Sequence, residues 1–295
     1  MRRVLFPIVL LAAACATTQS TTHEPSGMHT EPAATTPAVS SIAPPCNPAH
    51  ALVNAVIWTA SAAEHDAATL GTFANARRAL DAALADPTWS AALEDTTSDA
   101  SQPPAIILDL DETILDNAEN EVRWIRKGVT YDSPLWKAWV RESAAAEIPG
   151  AKAFLAYAQS RGVIPFYITN RDPDEREGTR ANLEKLGYPL STSPDNLLMR
   201  GERPEWKSDK SSRRAWVAST YRVLLLLGDD LNDFADARDK SLADRDGIVE
   251  QQKEWWGTRW FMLPNPMYGS WERAAAKTTG TPCEQLEQKI DAMKP

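Results

Sequence analysis

Two aspartates, Asp109 and Asp111, stand one residue apart at the end of an apolar run, Ile106-Ile107-Leu108, and lead into Glu112-Thr113. An apolar run this short, bounded by turn formers, reads as a strand buried on both faces, as in a parallel sheet covered by helices. If the strand continues to Asp111, its two-residue period points both carboxylates to one side. Their repulsion there calls for a cation, a shared proton or both. Mg2+ suits that need, because it takes hard oxygen ligands and is commonly held by one or two carboxylates plus substrate phosphate oxygens. The alternative is a strand that ends in an ordinary acidic turn.

Two more apolar runs end in hydrophilic groups. Val163-Ile164-Pro165-Phe166-Tyr167-Ile168 leads into Thr169-Asn170-Arg171, and Val223-Leu224-Leu225-Leu226-Leu227 into Gly228-Asp229-Asp230-Leu231-Asn232-Asp233. A cationic stretch with Arg200, Arg203, Lys207, Lys210, Arg213 and Arg214 precedes the second. In a parallel sheet the carboxyl ends of strands lie side by side, and ligands bind there. Carboxylates for a metal, a hydroxyl and a cation for anionic oxygens, and a carboxylate nucleophile together make the chemistry of phosphoryl transfer.

The elements that must position these groups follow from periodicity. Residues 51–84 read as two helices divided near Gly71, with apolar stripes at Val53, Val56, Ile57 and Ala60 and at Phe73, Ala76, Leu80 and Leu84. A helix is predicted from Asn117 to about Lys127, and another over 133–147 that carries Trp136 and Trp139 on one face. The pair reads as packing or as a ligand-stacking surface, and its place between the first two strands makes this segment a candidate small cap. Further helices are predicted over 150–161 and 173–186, closed by Gly162 and Gly187. Leu197-Leu198-Met199 and Trp260-Phe261-Met262-Leu263 read as strands, and the loop after the latter, with Tyr268, reaches the same sheet edge. Strands alternating with helices predict an α/β fold: a doubly wound parallel sheet with an additional helical region and a small cap.

With these residues in this order the chain resembles the haloacid dehalogenase superfamily, and more narrowly the bacterial class C acid phosphatases, many of which are outer-membrane lipoproteins. The resemblance rests on Asp109-Leu110-Asp111-Glu112-Thr113, Thr169-Asn170-Arg171, Lys210 and Gly228-Asp229-Asp230-Leu231-Asn232-Asp233. Family-like runs at Leu115-Asp116-Asn117, Asp209-Lys210-Ser211, Leu263-Pro264-Asn265 and Tyr268-Gly269-Ser270-Trp271-Glu272 extend it over about residues 50–275. It implies that Asp109 attacks phosphorus and that Asp111 protonates the departing alcohol and then activates water. It further implies Mg2+ held by the Asp109 side chain, the Asp111 carbonyl and Asp229, with Asp233 in or beside that set. Thr169 and Asn170 would bind a phosphate oxygen with Arg171 beside them, and Lys210, with Lys207 as its rival, would offset developing charge. The family tends to place an aromatic near the substrate where this chain aligns Leu80, which leaves Trp136 and Tyr268 as the expected platforms for a nucleobase. The implied substrates are small phosphomonoesters, including nucleoside 5'-monophosphates.

A dehalogenase would lack the second aspartate, which an alkoxide leaving group needs and a halide does not. A histidine-dependent phosphatase is disfavoured because the four histidines, His23, His29, His50 and His65, fall in the amino-terminal part of the chain, away from the strand ends. A catalytically inactive binding or storage lipoprotein on the same fold is the remaining alternative.

The 295-residue chain has globular composition, 43% hydrophobic and 24% charged, and a formal net charge of −9 that disfavours a nucleic-acid polymer as partner. Residues 1–14, with Arg2 and Arg3 before a short apolar run, read as a signal peptide. Leu11-Ala12-Ala13-Ala14-Cys15 resembles a bacterial lipobox, so Cys15 is the expected lipidation site of an outer-membrane lipoprotein, periplasmic or surface-facing. Residues 15–46, rich in Thr, Ser, Pro and Ala, read as a disordered tether to a phosphatase domain over 47–295. Cys46 and Cys283 are either a bridge that staples the domain's ends or two free thiols. The oligomeric state is left open.

Overall fold

The structure, a computed structural model, describes residues 46–95 and 99–293. The expected leader, the lipidation site Cys15 and the tether up to residue 45 lie outside the described residues. A 3-10 turn, Pro48–Leu52, leads into α1 (Val53–Ser61) and α2 (Ala63–Ala85). These helices part at Ala62, which is extended (ψ 128°), and not near Gly71, which lies inside α2. A mid-helix glycine costs about 1 kcal/mol relative to alanine. The buried stripe of Phe73, Ala76, Leu80 and Ala83 outweighs it. Ile57, expected in the core, is exposed, while Val56 one residue earlier is buried.

The chain continues through β1 (Pro104–Leu108), β2 (Leu115–Asp116), α3 (Ala118–Lys127), α4 (Ser133–Glu142) and β3 (Ala146–Glu147). The helix predicted over 133–147 stops early, at left-handed Ser143 (φ 50°), because Ala146 and Glu147 pair antiparallel with Asp116 and Leu115. After α5 (Ala151–Ser160) and β4 (Ile164–Thr169), a 3-10 turn at Pro173–Glu175 opens α6 (Arg176–Leu186). The remainder is β5 (Leu197–Met199), α7 (Ser211–Ala218), β6 (Arg222–Gly228), α8 (Leu242–Gln251), β7 (Trp260–Met262), α9 (Ser270–Ala275) and α10 (Pro282–Asp291). Among the described residues, no helix is long and apolar enough to cross a membrane.

The main sheet has the order β5-β4-β1-β6-β7, every pairing parallel. Alternation divides the core: Ile106, Leu108 and Tyr167 pack with residues of α2, α5 and α6, whereas Ile107, Phe166 and Ile168 pack with Val217 of α7 and with Trp260. Leu224 is skipped in the β1–β6 register, and Trp89 Nε1 donates to its carbonyl oxygen at 2.8 Å. The bulge therefore leaves no orphaned acceptor at the sheet centre. The chain runs outward from β1 through β4 to β5, then returns to β6 on β1's other side. That reversal is a topological switch point, and a crevice forms beyond the carboxyl ends of β1, β4 and β6.

Cys46 and Cys283 form a disulfide with their Cα atoms 6.1 Å apart. The bridge holds α10 to the start of the folded chain.

Candidate active site

At the switch point β1 ends at Leu108, and the two aspartates part company. Asp109 stays in sheet register, its N–H donating to the Leu227 carbonyl at 3.0 Å. Beyond it the chain turns back on itself. The N–H groups of Ile114 and Leu115 return to the Leu110 carbonyl at 2.9 and 2.8 Å, and Glu112 adopts a left-handed conformation (φ 56°). Asp111 therefore lies outside the strand, and the two-residue period that would make the carboxylates share one environment does not hold. Each has its own cation, Lys210 at Asp109 and Arg171 at Asp111.

Lys210, at the start of α7, is buried between Asp109 and Asp233, its Nζ donating to both and reaching Asp233 Oδ1 at 2.6 Å. Lys207, its rival in sequence, is exposed. Asp233 also accepts at Oδ2 from the N–H groups of Asp229 and Asp230, at 3.1 and 3.0 Å. This fold-back requires a glycine at 228, where any Cβ would overlap the Asp233 carboxylate. Asp229 accepts from Thr113 Oγ1 at 3.2 Å and Asn265 Nδ2 at 2.8 Å.

Carboxylate oxygens of Asp109, Asp229 and Asp233 lie within 4.8 Å of one another. Burial pushes Asp109 up to about 7, against the pull of Lys210, and pushes Asp229 well above the usual carboxylate range. Two buried carboxylates and a half-buried one facing one ammonium leave an excess of negative charge that a divalent, oxygen-seeking cation would neutralise. The donor set thus fits a metal such as Mg2+. Each oxygen of Asp229 and of Asp233 already has a protein donor, the Lys210 ammonium among those of Asp233, whereas Asp109 accepts at Oδ1.

Arg171, expected to touch substrate, lines the cleft and is also bound to the protein. Its guanidinium is buried and donates to Asp111 three times, at 2.6, 3.1 and 3.2 Å, and to Thr179 Oγ1 at 3.0 Å. Asn117 holds the other side of Asp111 through Nδ2, at 2.9 Å, and is itself fixed by Trp139 Nε1 donating to its Oδ1 at 2.8 Å. The tryptophan pair on α4 is thereby divided: Trp139 is buried packing, and Trp136 is half-buried on the cleft with the Arg171 guanidinium 5.3 Å from its ring centre.

Thr169 and Asn170 end β4 as expected. Thr169 Oγ1 accepts from the Arg171 N–H at 3.1 Å. Arg213 secures this end by donating to Asn170 Oδ1 at 2.6 Å and to the Thr169 carbonyl. Arg214 does the same for the β6 loop, donating to the carbonyls of Asn232 and Asp233 at 2.9 and 3.1 Å. Both arginines belong to the cationic stretch seen in the sequence and are fully buried in the fold. The backbone N–H groups of Asp111 and Asn170 make no hydrogen bond among the described residues. They remain available to an oxyanion beside Lys210.

Asp109, Asp111, Asn170, Lys210, Asp229 and Asp233 floor a cleft of about 820 Å3 that also takes in Tyr268 and Trp136, as expected, but not Thr169. Sequence reasoning missed several further residues there, among them Glu121, Trp124 and Tyr131. The rings of Trp124 and Tyr131 pack edge to face, 5.8 Å apart. Burial lifts the Glu121 carboxyl to about 7. The only signal for them was their helical spacing on and just after α3. Leu80 is core, and from the first helical region the cleft receives Pro48, Ala51 and Leu52 instead. His65 is buried on α2 against Trp58, with no part in the cleft.

Residues 50–271 match the family described as HAD superfamily, subfamily IIIB (acid phosphatase). The class C acid phosphatase from Bacillus anthracis is similar in structure, with a TM-score of 0.74 and 32% identity, covering 85% of this chain and 99% of that one. Its form with tungstate bound matches with a TM-score of 0.73, 32% identity and coverage of 84% and 98%. Both the sequence match and the fold match span the strand ends that gather Asp109, Asp111, Lys210 and Asp229, and they decide against a binding-only protein. The chain belongs to the acid phosphatases of haloacid dehalogenase subfamily IIIB and is a phosphomonoesterase.

Proposed function

We propose that this acid phosphatase is Mg2+-dependent, works through a phosphorylated Asp109, and takes nucleoside 5'-monophosphates among its substrates. The observation that carries the mechanism is the division of labour between the two aspartates. Asp109 is buried against an ammonium, while Asp111 is anchored from two sides by Arg171 and Asn117. Asp109 attacks phosphorus as the bond to the leaving oxygen breaks, and Asp111 delivers its proton to that oxygen. Water then attacks the same phosphorus, Asp111 takes the water's proton, and Asp109 departs with phosphate released. Lys210 and the N–H groups of Asp111 and Asn170 receive the charge that develops on the phosphoryl oxygens. Mg2+, when held by Asp109, Asp229 and the Asp111 carbonyl, supplies neutralisation of the acidic cluster and of the phosphate.

Tyr131, Trp136 and Tyr268 line one cleft, with Trp124 buried behind Tyr131, and give a base aromatic neighbours; stacking is worth about 1 to 3 kcal/mol per base in nucleic-acid complexes. That a solved relative holds tungstate, a tetrahedral oxyanion, supports the oxyanion reading of the floor. The test is a rapid quench during turnover with Mg2+. A phosphoryl group on Asp109 is expected in wild type, with no turnover in Asp109→Asn and none after chelation until Mg2+ is restored. Substantial turnover by verified Asp109→Asn protein removes the covalent mechanism, and full activity in chelator removes the metal.

We also propose that Cys15 is lipidated and anchors the chain to the outer membrane. The charged start, apolar run and lipobox-like Leu11-Ala12-Ala13-Ala14-Cys15 support this. Cys15→Ala should move the protein from the membrane to the soluble fraction, and unchanged sedimentation would refute the anchor.

A further inference from the structure

Six cations and seven carboxylates line the cleft, and the cations are more than one phosphoryl group uses. Besides Lys210 and Arg171, the cleft is lined by Arg200, Arg238, Arg273 and Lys289, which come from four separate segments of a chain whose net charge is −9. Three of these have partners. Arg200 donates to Asp172 at 2.7 and 3.0 Å, Lys289 pairs with Glu272 at 2.8 Å, and Arg273 lies 3.6 Å from the exposed Asp239.

Arg238 differs. Half-buried, it forms no hydrogen bond and no ion pair among the described residues. Burial and the charge of Arg273, with Arg200 adding to it, lower its pKa against the weaker pull of Asp239 and Asp230. Asp230, the carboxylate that shares the cleft, is already committed to Asn232 N–H and to the N–H and hydroxyl of Ser270. A guanidinium presents five donors in a rigid fork, and leaving them without acceptors beside like charge is unfavourable. A dianion placed among Arg238, Arg273 and Arg200 would supply acceptors and cancel the repulsion together, whereas a monoanionic carboxylate would do so only in part.

We propose that Arg238, flanked by Arg273 and Arg200, is a subsite for a second phosphate group, so that small molecules carrying two phosphates are preferred over their monophosphates. The inference rests on the transferred phosphoryl group being bound at Asp109.

Matched pairs test it: adenosine 3',5'-bisphosphate against adenosine 5'-monophosphate, and a hexose 1,6-bisphosphate against the 6-phosphate, with p-nitrophenyl phosphate as reference. A charge-assisted contact predicts that kcat/KM in wild type favours the bisphosphates by about tenfold to hundredfold at low salt. Arg238→Ala should lower kcat/KM for the bisphosphates about tenfold more than for the monophosphates, with Arg238→Lys between. Raising the ionic strength should shrink the wild-type preference. Because the substitution removes crowded like charge and no hydrogen bond, Arg238→Ala should melt no lower than wild type. Equal kcat/KM for both members of each pair in wild type overturns the subsite, as does an equal loss for both in Arg238→Ala. Should that variant fail to fold, the wild-type preference and its salt dependence still decide. If p-nitrophenyl phosphate is not hydrolysed, the phosphoryl site at Asp109 fails. If it is hydrolysed and no preference exists, the second subsite alone fails.

Discussion

Arg171→Met separates a residue that positions Asp111 from one that grips the substrate. Methionine keeps the length and packing of the stem while removing the guanidinium. What is lost is a buried ion pair with three N–O contacts between 2.6 and 3.2 Å, a hydrogen bond to Thr179, and the contact with the Trp136 ring. Breaking a fully buried pair costs about 3 to 5 kcal/mol. Asp111 opens on the cleft, its side chain 19% exposed, so water replaces part of what it loses. The expected destabilisation is then about 2 to 3 kcal/mol, or roughly 5 to 10 °C in Tm for a domain of this size. Among the described residues, Asn117 becomes the sole donor to the Asp111 side chain, which then swings. General acid catalysis contributes about 100-fold to 10,000-fold. The kcat for a nucleoside monophosphate, whose leaving alkoxide needs a proton, should therefore fall by about 100-fold or more. The kcat for p-nitrophenyl phosphate, whose leaving group needs little protonation, should fall far less, with KM little changed for either. Asp111→Asn alone and the double variant should show nearly the same leaving-group dependence, because the guanidinium acts through the carboxylate. A rise in KM for both substrates with kcat preserved would refute this reasoning and return Arg171 to direct substrate contact.

Replacing Cys46 and Cys283 by serine opens a loop between residues 237 apart, for which chain entropy sets an upper limit of about 5 kcal/mol. Because Pro48, Leu52, Pro282 and Leu286 border the cleft, the variant should melt lower and show a raised KM, and an unchanged melt would show that the bridge constrains nothing. Glu121 supplies a pH signature. Its folded pKa, about 7, lies above its ordinary 4.5, so the stability linked to its protonation is full below about 4.5 and lost as pH rises through 7. At most about 3 kcal/mol is involved, and Glu121→Gln should flatten the stability profile between about pH 4.5 and 7, whereas a parallel profile would place the wild-type slope elsewhere. Trp136→Ala and Tyr268→Ala should each lower kcat/KM for nucleoside monophosphates more than for small alkyl phosphates, and equal losses would make the rings structural.

Much of the active site was legible before folding, because its parts sit at the ends of apolar runs. A buried parallel strand has a local signature, and the residue that follows it is carried to the ligand side by the topology itself. Asp109 and Asp229 reach the cleft that way, while Thr169 ends its strand beneath it without lining it. The choice between Lys207 and Lys210 rested on a family-like run, and the structure puts only Lys210 between the carboxylates. Misplaced boundaries have equally local causes. Gly71 looked like a break, but the helix continues because its stripe is buried on the sheet, and the helix after Ser133 stops early because a distant strand, Leu115–Asp116, claims the residues beyond it.

By itself the sequence determined the α/β alternation, the order of the strand-end motifs and hence the phosphoryl chemistry, since each depends on residues close together in the chain. Tertiary structure alone decided what those residues touch. It joined Arg171 to Asp111, buried Arg213 and Arg214 as clamps on two loops, sent Trp139 inward and left Trp136 on the cleft, and joined Cys46 to Cys283. It also brought Arg200, Arg238, Arg273 and Lys289 from separate segments to one rim. Periodicity says which side of an element is apolar, but the partner of a charged side chain depends on where elements far apart in the chain meet, and a local pattern carries no record of that distance.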